Sequence, residues 1–259
     1  MLGRGAWPRG AGRLQFAGVT DIGRVRDTNE DSYCLEELGS ADGVWLLAVA
    51  DGLGGCPDGE VASRIAIQTV RECALRDARG AAPGANWPHR LEDAITVAHG
   101  RILTESAADA SDLSGMSTTL TAVVVDGTRL YWGHVGDSRA YILRGGRLTL
   151  LTRDHSVTGR LVADGFLGEE AARDHPQRNL LTQALGFPGD LHVETGVTEL
   201  RTGDWLILTT DGLTAVVAGE EIVRSARRFE VPLPLCERLV ALANARGGPD
   251  NVTVLAARA

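Results

Sequence analysis

The 259-residue chain has no lysine: all 26 basic residues are arginine, set against 34 Asp and Glu. That absence removes several mechanisms at once. A phosphate-binding-loop NTPase relies on the lysine of its glycine-rich loop, a protein kinase on a strand lysine, and a Schiff-base enzyme on an amine nucleophile. The four cysteines, Cys34, Cys56, Cys73 and Cys236, contain no Cys-x-x-Cys spacing, so they do not form a zinc knuckle. The longest apolar run, Val44 to Ala50, is far too short to span a bilayer. Met1 to Arg13 is Gly/Arg-rich without the apolar core of a secretory signal, and is expected to be a disordered leader. The thiols are then expected to be reduced and inert, in a cytoplasmic protein with no membrane attachment. A net charge of −8 and a pI near 5.3 leave no basic face for non-specific nucleic-acid binding.

Short apolar runs bounded by Gly or Asp recur along the chain: 44–50, 120–125, 129–134, 140–143, 148–151, 205–208 and 252–256. They read as strands. Asp126-Gly127 and Gly145-Gly146 are hairpin signals, so residues 118–151 are expected to form one antiparallel meander. Helical periodicity marks 59–78, with Val61, Ile65, Ala66, Gln68, Thr69 and Cys73, and 90–108, with Leu91, Ile95, Ala98, Ile102 and Leu103. Residues 80–88 are a Gly/Pro loop between them. Two further helices are expected at 219–228 and 234–245, the second stopped by Gly247-Gly248. Strands followed by helix pairs, without βαβ alternation, indicate α+β with antiparallel sheet in a single domain over 14–259. The weakly patterned stretch 152–190 is expected to hold a flap at about 155–185.

Aspartates at strand ends carry the chemistry. Asp51-Gly52 and Asp211-Gly212 each terminate an apolar strand, Asp137 lies between two strands, Asp250 precedes the last strand, and Asn29-Glu30-Asp31 closes an early one. A single Asp-Gly is normally just a turn. Several, each abutting a core strand, can converge into a carboxylate cluster that cannot stay ionised without a cation. Oxygen-only donors select Mg²⁺ or Mn²⁺ over zinc. Two such ions about 4 Å apart form a clamp used in phosphoester hydrolysis. Gly52 admits close approach of its carbonyl to an ion. Competing motifs fail: Gly52-Leu53-Gly54-Gly55-Cys56-Pro57 lacks the last glycine of a dinucleotide loop, and there is no His-Glu-x-x-His, no Gly-x-Ser-x-Gly and no Asp-x-Asp after a strand.

Asp21-Ile22-Gly23-Arg24-Val25-Arg26-Asp27-Thr28-Asn29-Glu30-Asp31 resembles the opening motif of the metal-dependent, type 2C protein phosphatases, bacterial type. So do Val49-Ala50-Asp51-Gly52-Leu53-Gly54-Gly55, Gly136-Asp137-Ser138-Arg139, Thr209-Thr210-Asp211-Gly212 and Asp250-Asn251-Val252-Thr253. Ser117-Thr118-Thr119-Leu120 is similar to the family's Gly-Thr-Thr segment. Leu151-Thr152-Arg153-Asp154-His155-Ser156 and His175-Pro176-Gln177 are similar to its flap region. The order covers roughly 14–257. The resemblance implies a four-layer α-β-β-α sandwich of two antiparallel sheets flanked by antiparallel helix pairs.

It also implies a protein serine/threonine phosphatase using two Mn²⁺ or Mg²⁺ ions and a weaker third, with phosphorylated proteins as substrates. Asp51, Asp211 and Asp250 would hold the first ion. Asp51, the Gly52 carbonyl and, through water, Glu30 would hold the second. Asp137 with Asp211 would hold the third. Arg26 would bind the phosphate attacked by a metal-bridging water. The sequence departs from the family at Leu53, where some members carry a histidine proposed as general acid, and at Ser117, where glycine is usual. The family implies a cognate serine/threonine kinase as partner, and a monomer is expected. Two alternatives differ in class: a catalytically silent binding module, and a phosphatase dedicated to a partner-switching transcription regulator. His134 is expected to be packed or hydrogen-bonded, His155 to serve a turn or cap as readily as chemistry, and Arg139 to be an ion-pair partner. Asp31 is expected as a supporting carboxylate behind the ligands.

Overall fold

The apolar runs are strands buried on both faces, which is why they lack the in–out alternation of a half-exposed sheet. The computed structural model describes residues 2–4, 14–38, 43–53, 58–79, 86–108, 115–173 and 175–259. One sheet runs β1 (Leu2–Arg4), β2 (Gln15–Asp21), β11 (Val252–Arg258), β10 (Trp205–Thr209), β7 (Arg139–Arg144), β8 (Arg147–Leu150). The other runs β3 (Asp31–Glu37), β4 (Trp45–Asp51), β5 (Leu120–Asp126), β6 (Arg129–Val135), β9 (Glu194–Glu199). Every pairing is antiparallel.

Strand alternation distributes the core among three layers. In β4, Trp45, Leu47 and Val49 face the other sheet, where they meet Phe16, Leu206, Leu208 and Leu255. Phe16 and Trp45 stack across the gap with ring centroids 4.3 Å apart. Leu46, Ala48 and Ala50 face the opposite way, onto α1 (Gly59–Arg79) and α2 (Trp87–Ala108). On the outer face of the first sheet, Ile207, Val254 and Ala256 pack on α6 (Gly219–Ala226) and α7 (Pro232–Ala245). The result is the expected four-layer α-β-β-α sandwich. Burying each large aliphatic side chain in these layers is worth about 1.5–3 kcal/mol before the entropy of ordering it.

The expected meander is corrected. The β5–β6 and β7–β8 hairpins form, but they belong to different sheets. The chain changes sheet at 136–138, where Gly136 adopts φ +110° and packs against Thr119. The second partner of β6 is instead β9, a polar edge strand without an apolar signature. The buried stripe of α1 is Ala62, Ala66, Val70, Cys73 and Ala74, one position round from the Val61–Ile65 reading, because small side chains let the helix sit close to β3 and β4. Val61 and Ile65 are half-buried and Gln68 is exposed. In α2, Leu91, Ile95, Ala98 and Ile102 are buried as expected, while Leu103 is exposed.

Leu2–Arg4, within the expected leader, pairs with β2. Gly54, Gly55, Cys56 and most of the 80–88 loop lie outside the described residues. The flap region carries two short helices, α3 (Val157–Ala163) and α4 (Glu169–Arg173). Among the described residues no helix is long and apolar enough to cross a membrane.

Candidate metal centre

Antiparallel register brings the acidic strand ends together. Asp31 starts β3 directly opposite Asp51 at the end of β4. In the other sheet β10 leads into α5 (Asp211–Thr214), and its neighbour β11 begins just after Asp250. Thr209 of β10 pairs with Arg139 of β7, which draws the sheet-changing turn with Asp137 to the same edge. Asp51, Asp137, Asp211, Asp250 and Glu30 are half-buried, and Arg26 is exposed at the rim.

The electrostatics record how close these groups are. Burial pushes Asp51 well above the usual carboxylate range, and Asp31, Asp211, Asp137 and Asp250 push it further. Asp137 is raised by burial, then by Asp211 and Asp154, against an opposing pull from Arg139. Burial and Asp250 raise Asp211, opposed by the close approach of Asp51 and by the Arg26 charge. Burial also raises Glu30. Asp31 is pushed up to about 7 by burial, although the Thr253 and Thr210 hydroxyls donate to its Oδ2 at 2.6 and 2.9 Å. Its Oδ1 is buried and has no hydrogen-bond partner among the described residues. Carboxylates that repel one another into protonation, beside an orphaned buried oxygen, fit divalent cations. The donors are all oxygen, which suits Mn²⁺ or Mg²⁺.

These shifts set a pH dependence. An acid with a folded-state pKa above its unfolded value binds more protons when folded, so stability falls as pH rises between the two values. For Asp31 that window runs from 3.8 to about 7, and Asp51, Asp137 and Asp211 act in the same direction. Buried His134, its pKa held down to about 3, acts the opposite way below pH 6.5, so the contrast is clearest above that: the metal-free chain is expected to melt a few degrees lower at pH 8 than at pH 6.5, with saturating Mn²⁺ removing most of the difference. A melting temperature in EDTA that is flat or rising over that range would contradict it.

The scaffold around the acids is a hydrogen-bond frame. Asn251 Oδ1 accepts the Glu30 amide at 2.8 Å, and its Nδ2 donates to the Ile22 and Thr28 carbonyls, each at 2.9 Å. One side chain thus holds the 22–30 loop, with Arg26 and Glu30, against the Asp250 loop. Gly23, at φ +85°, lies under the Asp250 carbonyl, where a Cβ would come within 2.4 Å. The Arg26 guanidinium donates to Asp250 Oδ2 at 2.8 Å, an ion pair that holds the arginine pKa up. Gly52 donates to the Glu30 carbonyl at 3.1 Å. The Thr118 hydroxyl donates to the Asp51 carbonyl at 2.8 Å, and the Asp51 amide to Thr119 Oγ1 at 3.0 Å. Sequence reading did not give Asn251, Thr210, Thr253, Thr118 and Thr119 these framing roles. Their signal was partial: Thr210 directly precedes Asp211 and Asn251 and Thr253 follow Asp250, whereas Thr118 and Thr119 are adjacent in sequence to none of the strand-end aspartates.

The histidines stand apart from the carboxylates. His134 is fully buried, with Nδ1 on Thr121 Oγ1 and Nε2 on the Arg153 carbonyl, and burial lowers its pKa to about 3. It is a packed residue, as expected. His155 Nδ1 accepts the Gly136 amide at 3.3 Å, next to Asp137, and burial lowers its pKa. Donor atoms of His134, His155 and Glu194 lie within 4.8 Å of one another, but both His134 nitrogens already have partners. His175 Nδ1 accepts the Gln177 amide, a turn role. Cys34, Cys73 and Cys236 are free, buried thiols.

Arg139 is the ion-pair partner expected: Nε and Nη2 grip Asp154 at 2.8 and 2.6 Å, joining β7 to the entrance of the flap. Arg139→Ala is expected to cost about 2 kcal/mol, less than a fully buried pair because the guanidinium is part-exposed. That lowers the melting temperature by about 6 °C. Arg139→Lys should recover less than half of the loss, since lysine lacks the two-pronged fork. A thermal melt of both variants checks it.

The protein phosphatase 2C family profile matches residues 24–245. Over 244 residues the chain is 40% identical to the serine/threonine protein phosphatase PstP of Mycobacterium tuberculosis, covering 94% of this chain and 45% of that one. It therefore spans about half the length of that relative. It is 36% identical over 239 residues to the serine/threonine phosphatase stp of Listeria monocytogenes, covering 91% and 92% of the two chains. The crystal structure of the catalytic domain of a serine/threonine protein phosphatase PstP in complex with two manganese ions superposes with TM-score 0.80 at 36% identity, covering 95% of this chain and 97% of that one.

Proposed function

The chain belongs to the protein phosphatase 2C family, and from that premise we propose that it is a metal-dependent protein serine/threonine phosphatase acting on phosphoserine and phosphothreonine in proteins. The observation that carries the reading is the Arg26 guanidinium paired to Asp250 at the rim of an all-oxygen carboxylate cluster. Asp51, Asp211 and Asp250 would hold a first Mn²⁺ or Mg²⁺ ion. Asp51, the Gly52 carbonyl and, through water, Glu30 would hold a second, and Asp137 with Asp211 a weaker third. When bound, the ions would supply Lewis-acid charge and lower the pKa of a coordinated water, giving the hydrolysis its nucleophile.

Arg26 binds and orients the phosphoryl group. Its planar fork matches two phosphate oxygens, and in this chain no lysine competes for the role. Asp250 holds the guanidinium over the cluster, and Asn251 fixes the loop beneath it. Protons held by Asp51, Asp137 and Asp211 leave as cations bind, so cation affinity weakens at low pH. Leu53 brings no proton to the leaving group, so the general acid lies elsewhere than at that position.

The test is hydrolysis of para-nitrophenyl phosphate and of a phosphothreonine peptide, with Mn²⁺ and with EDTA. Turnover of both that depends on Mn²⁺ is expected. Protein that is folded and binds Mn²⁺ but hydrolyses neither would overturn the reading in favour of a silent binding module. Phosphorylated proteins are the substrates in this reading, a cognate serine/threonine kinase the opposing partner, and the catalytic unit a cytoplasmic monomer. Light scattering of the purified chain tests the last point.

A further inference from the structure

On the outer face of the α6–α7 layer, Glu221, Arg224, Ser225, Arg228, Arg238 and Leu242 line a depression of about 210 Å³. Three guanidinium groups around one hollow are unexpected in a chain with a charge of −8. Arg224 lies on α6 and Arg228 just beyond its C-terminal end, and both reach the same hollow. Arginine in the last turn of a helix complements its dipole, which accounts for α6 but not for Arg238, midway along α7. The one carboxylate, Glu221, is already taken by both guanidinium nitrogens of Arg246 and holds Arg224 only loosely, at 3.8 Å. Among the described residues the Arg228 and Arg238 guanidiniums have no ion-pair or hydrogen-bond partner. Arg227 lies instead against Gly146 in the β7–β8 turn.

A second observation points to a ligand. Ser225 is only 5% exposed, yet it lines the hollow and its hydroxyl has no hydrogen-bond partner among the described residues. The hydroxyl oxygen itself opens into the hollow, where it is free to donate to a ligand. Three guanidinium forks and one hydroxyl can all donate to a compact oxyanion with several acceptor oxygens, while the one carboxylate of the lining, Glu221, is held by Arg246.

We propose that this hollow is a second phosphoryl-binding site, which docks a phosphate group carried by a protein substrate while another phosphate on that substrate occupies the carboxylate centre. The inference rests on the phosphatase reading above. Arg228 and Arg238 are exposed and take no part in the catalytic cluster, so replacing them leaves the fold and the chemistry in place.

Arg228→Gln/Arg238→Gln is compared with wild type on three substrates: para-nitrophenyl phosphate, a peptide with one phosphothreonine, and casein carrying several phosphoserines. The variant is expected to raise KM for casein about fivefold with kcat unchanged, and to leave both constants for the two single-phosphate substrates as they were, the effect of losing two charge-assisted contacts. Arg228→Lys/Arg238→Lys should restore part of the casein affinity. Equal KM for casein in wild type and the Gln variant would overturn the proposal. So would a difference confined to inhibition by added inorganic phosphate, which would mark a free-anion site. Absence of para-nitrophenyl phosphate turnover in wild type would instead sink the phosphatase reading, and that is visible separately.

Discussion

Asp211→Asn is expected to lower kcat on para-nitrophenyl phosphate by about 10³-fold or more, with the fold intact. Asp211 is where the cluster is most densely connected. It lies beside Asp51, is pushed up by Asp250, and is the leading charge acting on Asp137. In the metal assignment it serves both the first and the third ion. Asparagine keeps the size and one oxygen but loses the charge that offsets a divalent cation. The same substitution removes a source of repulsion, so the metal-free variant should melt higher than metal-free wild type. Its rise in melting temperature on adding Mn²⁺ should shrink from about 5 °C to near zero. Wild-type rates, or an undiminished Mn²⁺ response in the melt, would show that Asp211 is not a ligand.

Gly212→Ala is expected to be damaging, chiefly to stability, by a route that involves no charge. A Cβ at position 212 would sit 1.9 Å from the Asn251 carbonyl oxygen and 2.9 Å from its carbon. Both are backbone atoms that cannot rotate aside. Either α5 lifts away from the start of β11, or Asn251 shifts and releases Glu30 and the 22–28 loop that it holds. The expected cost is about 3 kcal/mol, or roughly 9 °C in melting temperature. Misplacing Asp211 relative to Asp250 should also cost at least about tenfold in kcat. Gly100→Ala is the matching control: a Cβ there meets nothing within 4 Å, and alanine favours the α2 helix by about 0.5–1 kcal/mol. A Gly212→Ala protein as stable and active as wild type would mean that the close approach of α5 to β11 is not needed.

The central strands were legible because being buried on both faces writes a continuous apolar run into the sequence. Val44–Ala50 and Val252–Ala256 are both such runs, and each falls on a strand within a residue or two. β9 was not legible. Its residues, Glu194 to Glu199, are polar or half-exposed at a sheet edge, and their place is decided by main-chain bonding to β6. The meander failed for a similar reason. Turn residues announce a hairpin, but nothing in Val135-Gly136-Asp137-Ser138 says whether the next strand continues the sheet or crosses to the other. That depends on the Thr119–Ser138 contact across the gap, between residues nineteen apart.

By itself, the sequence determined the class of chemistry. Without lysine, without metal-binding cysteine spacing, and with aspartates at the ends of core strands, hard-cation chemistry was the consistent reading, and the resemblance to the phosphatase family implied an arginine to grip the phosphate. Tertiary structure alone decided which acids share a site and what holds them there. Register sets Asp31 opposite Asp51, the change of sheet delivers Asp137, and Asn251 ties the Arg26 loop to Asp250. The reason is physical. Residue type fixes which atoms can bind a cation, but mutual repulsion, burial and hydrogen-bond frames exist only between groups distant in sequence, once folding has placed them within a few ångströms of each other.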